Sequence, residues 1–83
     1  MTHEGCIGIP VSGSCKMRKA HYKVRAYEEP TPYGINEGKI TDLQIRIEDR
    51  ITAEYAEGEW WIEPEEDDTS TQLAYCILLE NYN

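Results

Sequence analysis

The sequence predicts a β-rich α+β fold: a four- to five-stranded antiparallel sheet, wound as a meander, with one C-terminal helix packed on one face. Three observations carry this expectation. Leu43, Ile45 and Ile47 alternate with polar residues, and Ile51, Ala53 and Tyr55 do the same after the Glu48–Asp49 turn, so the two runs form a hairpin. Ala20, Tyr22, Val24 and Ala26 alternate with His21, Lys23, Arg25 and Tyr27, the pattern of a strand with one buried face and one wetted face. An apolar stretch after residue 69 repeats at helical spacing behind an acidic leader.

Taken in order, strands are expected at about 6–11, 20–28, 40–47, 50–56 and 59–63, and a helix at about 70–80, all within one domain spanning 1–83. In the first strand Ile7, Ile9 and Val11 alternate, and Pro10, lacking an N–H, suits a sheet edge. Residues 12–19 are small, polar and basic and are expected to form a loop. Glu28 to Lys39 contains Pro30, Pro32, Gly34 and Gly38, the composition of an ordered connection. Loops of this length in compact domains are often functional, which makes Tyr33 and Asn36 candidates. A turn at Gly58 leads into EWWIE, which Pro64 ends. Thr69 and Gln72 fit a capping box, and the four acids before Thr69 suit the positive end of a helix dipole. Leu73, Cys76 and Ile77, with Ala74 or Leu78 alongside, supply the expected buried stripe.

Charge is unevenly spread. The net charge is −8, yet residues 1–27 carry Lys16, Arg18, Lys19, Lys23 and Arg25 against Glu4 alone, a net of +4, leaving −12 for residues 28–83. Such a field repels nucleic acid and anionic membranes, so neither is expected as a direct partner. The longest apolar run, Leu73 to Leu79, is too short to cross a bilayer. Cys6, Cys15 and Cys76 are an odd set without a CxxC pair, and MTHEGCIGIP shows no basic region followed by an apolar stretch. A cytoplasmic protein with free thiols is therefore expected. A chain this short has a thin core, which favours a homodimer through Trp60, Trp61 or an edge strand.

The densest functional signal lies between residues 54 and 68. Glu54, Glu57, Glu59, Glu63, Glu65, Glu66, Asp67 and Asp68 stand there without a single basic residue, around the adjacent Trp60 and Trp61. Adjacent strand residues point to opposite faces, so one tryptophan is core and the other is free to anchor an interface. The acids before Thr69 suit a helix start, but eight unpaired carboxylates exceed what a cap requires. All eight, with Trp60 or Trp61 as anchor, are expected to face a partner with a basic surface. A rival set is the basic strip Lys16, Arg18, Lys19, Lys23 and Arg25, with Tyr22, Tyr27 or Tyr33 as stacking rings, which could hold a nucleotide in an oligomer. His3, Cys6, Cys15 and His21 are possible soft ligands, but their spacing matches no zinc motif, and no metal or other cofactor is expected. No Walker loop, GxSxG or HExxH is present, and the carboxylates have no predicted cleft, so the expectation is a binding protein rather than an enzyme.

The strings YEEPTPYGINEGKITDL and AEYAEGEWWIEPEEDD, followed by a terminal amphipathic helix, resemble a family of short uncharacterised proteins of phages and mobile elements of low-GC Gram-positive bacteria. The similarity runs from Ala26 to the last residue and departs in residues 12–19, which look like an insertion, and in the doubled tryptophan. The resemblance implies a phage-borne origin, a bacterial host cytoplasm and a ββββα arrangement, and it implies no activity. In that setting the acidic residues suggest an inhibitor that occupies the basic groove of a nucleic-acid-binding defence enzyme, carboxylates standing where phosphates would sit. A nucleotide-sequestering oligomer and a purely structural accessory protein are the alternatives.

Overall fold

The computed structural model describes residues 1–10 and 16–83. Five strands, β1 (Thr2–Pro10), β2 (Met17–Ala26), β3 (Ile40–Ile47), β4 (Arg50–Ala56) and β5 (Glu59–Ile62), form one antiparallel sheet in the order β1-β2-β3-β4-β5. A single helix, α1 (Thr69–Tyr82), packs across one face. The meander and its covering helix are those the alternation predicts. The first hairpin is longer than expected: β1 begins at Thr2 rather than near residue 6, and β2 at Met17 rather than near 20. The two strands pair without interruption from Thr2↔Arg25 to Pro10↔Met17. Gly5 and Gly8 hide this extension in the sequence, because they contribute no side chain to the alternation. β2 stops at Ala26, so Tyr27 and Glu28 fall outside it, and β5 stops one residue short of Glu63. Val11, the expected end of the first strand, and most of the 12–19 loop lie outside the described residues.

The core lies between the helix and the inner face of the sheet. Ala20 and Val24 from β2, Leu43 and Ile45 from β3, and Ala53 from β4 are buried there against Ala74 and Leu78. The β3–β4 pairing changes register between Ile45↔Ala53 and Arg46↔Ile51, which leaves Thr52 as the extra residue of a bulge. Strict alternation through Ile51, Ala53 and Tyr55 is therefore broken. Ile51 turns outward and is 38 % exposed, whereas Thr52 goes inside.

At the helix start the cap is Asp68 rather than the expected Thr69. Its side chain accepts hydrogen bonds from the Thr71 N–H (3.1 Å) and hydroxyl (2.7 Å). Gln72 does not reach back to a cap. Its Nε2 donates instead to the carbonyls of Pro64 (3.2 Å) and Glu65 (3.0 Å), pinning the incoming chain. The buried stripe is correspondingly different: Thr71, Ala74 and Leu78 face the sheet, flanked by Tyr75, Leu79 and Tyr82. Leu73 and Cys76 face water, and Ile77 is only half-buried. Residues 73–79 are apolar on every side, so their pattern alone cannot choose a face; the Asp68 cap and the Thr71 hydroxyl do.

Two further contacts close the ends of the core. Tyr22 lies over Gly5, where a Cβ would stand 2.8 Å from its phenolic oxygen, and its hydroxyl meets that of Tyr82 at 3.2 Å. His3 is part of β1 and stacks on the Tyr82 ring at 4.7 Å. The hydrogen bond to Tyr82, and burial after it, raises the Tyr22 phenol above its usual 10.0. The connection from Tyr27 to Lys39 is ordered by its own turns and by a short 3-10 turn, Ile35–Glu37. The Tyr55 hydroxyl donates to the Tyr33 carbonyl (2.9 Å), and the Asn83 side chain accepts from Ile40 N–H (2.9 Å) while donating to the Ile35 carbonyl (3.1 Å). Among the described residues every buried side-chain nitrogen and oxygen has a partner.

Candidate functional site

The acidic segment is held by the β4–β5 hairpin. Its turn runs through Glu57 (φ 55°) and Gly58 (φ 81°), two left-handed residues that match the twist of a tight hairpin. Pairing resumes at Ala56↔Glu59 and Tyr55↔Trp60 and then shifts to Glu54↔Ile62, so Trp61 is the extra residue of a second bulge. The pleat turns the two tryptophans to opposite faces, and the bulge keeps Ile62 on the outer side beside Trp61. Trp60 turns inward and meets Tyr55 (5.1 Å, 71°) and Tyr75 (5.4 Å, 74°) edge to face. Burial beside this cluster, then the neighbouring Cys76 and Tyr55, raises the Tyr75 phenol above 10.0. Trp61 is left 58 % exposed, and its Nε1 donates to the Ala56 carbonyl at 3.1 Å, which fixes the ring in place.

The surface beside Trp61 is apolar and acidic, with Lys23 and Arg25 sharing the depression that Glu54 lines. Ile62, 39 % exposed, continues the apolar patch. Glu54 stands opposite Ile62 and accepts from Gln44 Nε2 at 3.1 Å; Glu59 and Glu63 bracket the strand. Glu57 lies at the hairpin turn, where it lines an open depression of about 520 Å³ with Arg25, Tyr27 and Tyr33. The remaining acids belong to a different place. Glu65, Asp67 and Asp68 line a depression at the helix start with Arg18 and Arg50, and Glu66 sits between them in sequence on the exposed connection. The eight carboxylates thus form two groups rather than one face, and only the first adjoins an apolar anchor.

The rival basic strip is divided as well. Lys19, Lys23 and Arg25 share the open face of the sheet with His21, but Glu4 stands opposite Lys23 and Asp42 opposite Arg25, where opposite charges offset one another. Arg18 pairs with Glu48 at 3.5 Å, and Tyr22 is taken up in the inner layer. Lys16 precedes β2. Arg46, which the sequence reading passed over, stands opposite His21 and joins the cationic side of this face; the alternation of β3 was the signal for it. The loop candidates separate too: Tyr33 is 67 % exposed at the hairpin-end depression, whereas Asn36 occupies a left-handed position (φ 53°) in the 3-10 turn. Of the possible soft ligands, Cys6 neighbours His21 on the open face and His3 lies on the other side of the sheet, while Cys15 is outside the described residues. No three metal-ligating side chains converge among the described residues.

A family model described as a domain of unknown function, DUF7678, matches residues 1–83. The chain belongs to this family. No curated protein and no solved structure matches it. The DUF7678 chain has, among its described residues, no helix long and apolar enough to cross a membrane.

Proposed function

We propose that this DUF7678 domain is a non-catalytic docking module that engages a basic protein surface through the β4–β5 edge. One observation carries the reading: Trp61, exposed and bonded to Ala56, lies beside the exposed Ile62 on a short edge strand that begins at Glu59 and runs into Glu63, with Glu54 opposite Ile62. A rigid aromatic anchor costs little conformational entropy on binding, and neighbouring carboxylates steer a cationic partner. The similarity of the YGIN and WWIEP strings to phage and mobile-element proteins supports a host protein as the partner. The density of carboxylates is the ground for taking a nucleic-acid-binding defence enzyme as its class, inhibited by occupation of its basic groove in the host cytoplasm.

Capture from host lysate with the immobilised domain tests this. Binding should weaken steeply with salt, and Trp61→Ala should lose about 2 kcal/mol, roughly thirtyfold in affinity, with an unchanged melting temperature. Glu59→Lys combined with Glu63→Lys should abolish capture. Retention of the same proteins by both variants refutes the reading, as would loss only on reversal of Glu65, Glu66 and Asp67, which lie away from Trp61.

A nucleotide-sequestering role is the second reading, favoured by the gathering of Lys19, Lys23, Arg25 and Arg46 on one open face. Glu4 and Asp42 in the same rows place it behind the first. Stabilisation of the domain by millimolar nucleotide, about 4 kcal/mol for a micromolar binder, would reverse that order.

A further inference from the structure

The two edges of the sheet are unequal. β5 is four residues long, is bracketed by Glu59 and Glu63, and runs into Pro64, all features that discourage another strand from adding to it. β1 is nine residues long, and Glu4 is its one charged residue; proline appears only at its last position. Met1 and Ala26 exchange both backbone hydrogen bonds (2.9 and 2.8 Å), which fixes the parity of the β1–β2 ladder. Because bonded pairs alternate along a regular antiparallel register, Thr2, Glu4, Cys6 and Gly8 direct their N–H and C=O groups away from β2. Among the described residues no strand pairs with that edge.

We infer that β1 is a dimerisation edge whose occupant is the β1 strand of a second copy, paired antiparallel about a two-fold axis at Cys6. Full overlap of Thr2–Pro10 with itself sets this register, and the side chains then complement one another on both faces. On the open face Glu4 lies opposite Gly8 of the second copy. Gly8 is flanked on β2 by Lys19 and has the Met17 methyl over it, 3.2 Å from where a Cβ would stand, so the Glu4 carboxylate meets a residue without a side chain of its own beside a cation. On the inner face the half-buried Ile7 lies opposite Gly5 of the second copy, beneath the Tyr22 ring that covers it. Neither glycine opposes these residues with a side chain of its own, and each contact occurs twice, as a self-complementary interface requires. The pairing joins two five-stranded sheets into one and leaves the Trp61 patches at its two far edges, so it stands whether or not the docking reading does.

Cys6 provides the test. It is exposed, and at the two-fold it meets its own copy as a bonded pair with Cα atoms about 5.5 Å apart, within the range a disulfide spans. An interface of this kind falls at the small end of the range, so sedimentation should be followed up to about 1 mM protein. The expected result is a concentration-dependent rise from 9.6 kDa towards twice that mass. In a Cys15→Ser, Cys76→Ser background, diamide, which takes up two electrons and two protons from a pair of thiols, should give a covalent dimer. Cys6→Lys places like charges across the axis and should weaken association about tenfold or more without changing the circular dichroism spectrum or melting temperature. A mass of 9.6 kDa at every concentration overturns the inference. So does a dimer that Cys6→Lys leaves intact and that diamide fails to cross-link.

Discussion

The hydroxyls of Thr52 and Thr71 meet at 2.8 Å beneath the first turn of α1. Thr52 is there because a bulge turns it inward, and Thr71 also bonds the Asp68 carboxylate at 2.7 Å. One polar chain therefore ties the β4 bulge to the helix cap inside an otherwise apolar core. Thr71→Val should leave the Thr52 hydroxyl with only its long bond to the Ile45 carbonyl (3.5 Å) and remove a bond to the cap, at a cost of about 1–3 kcal/mol. Asp68→Ala should cost about 1 kcal/mol. Because the two residues share one bond, the double variant should lose less than the sum in urea unfolding; strict additivity would show that the chain is not coupled.

The Glu48–Asp49 turn places two non-glycine residues at positive φ, 51° and 62°. The hairpin twist demands that geometry, and Asn-Gly adopts it most readily. Glu48→Asn with Asp49→Gly should raise stability by about 1 kcal/mol, seen as a higher urea midpoint at unchanged slope. A lower midpoint would mean that the Arg18–Glu48 pair, 3.5 Å apart, outweighs the backbone effect.

Asn83 bonds both Ile35 and Ile40 through its side chain, joining the helix end to the long loop. Asn83→Ala should destabilise the domain by about 1–2 kcal/mol. Amide exchange should rise first in residues 31–40, while β3 and β4 keep their protection. Uniform acceleration across the sheet would contradict a local role for this contact.

Tyr75 holds its proton more tightly than free tyrosine, chiefly because burial disfavours the phenolate. A raised folded value means that the native state binds this proton more strongly, so its contribution is complete below pH 10.0 and is lost as pH climbs past it. Tyr22, raised by its bond to Tyr82, acts in the same direction. Thermal melts should therefore fall steeply above about pH 10. Tyr75→Phe should flatten that fall; an unchanged alkaline limb would remove Tyr75 as its cause.

The strand order and the antiparallel meander are legible because Leu43–Ile47 and Ala20–Ala26 alternate cleanly and the turns at Glu48–Asp49 and Glu57–Gly58 are short. What escapes the sequence has three physical sources. The bulge at Thr52 puts Thr52 inside in place of Ile51, and the bulge at Trp61 leaves Ile62 outward beside it, which no period-two count can foresee. Glycines at 5 and 8 mask a strand by leaving its alternation blank. Helix residues 73–79 are apolar all round, so burial there was decided by the Asp68 cap, the Thr71 hydroxyl and Asn83, not by hydropathy. At the candidate site the division between Trp60 and Trp61 was readable from pleat geometry. The splitting of the carboxylates between two ends of β5 was not, because charge density along a chain carries no direction.

Each strand pairs only with its neighbours in the chain, so the sheet can assemble hairpin by hairpin from the amino end. Its cover arrives last: the Ile40 amide waits for a partner 43 residues later, and Val24, Leu43 and Ile45 stay unshielded until α1 docks. A nascent or partly unfolded chain therefore presents a greasy, already pleated surface beside an unguarded β1 edge, and chaperone demand and inclusion-body formation should track the fate of the helix rather than that of the strands.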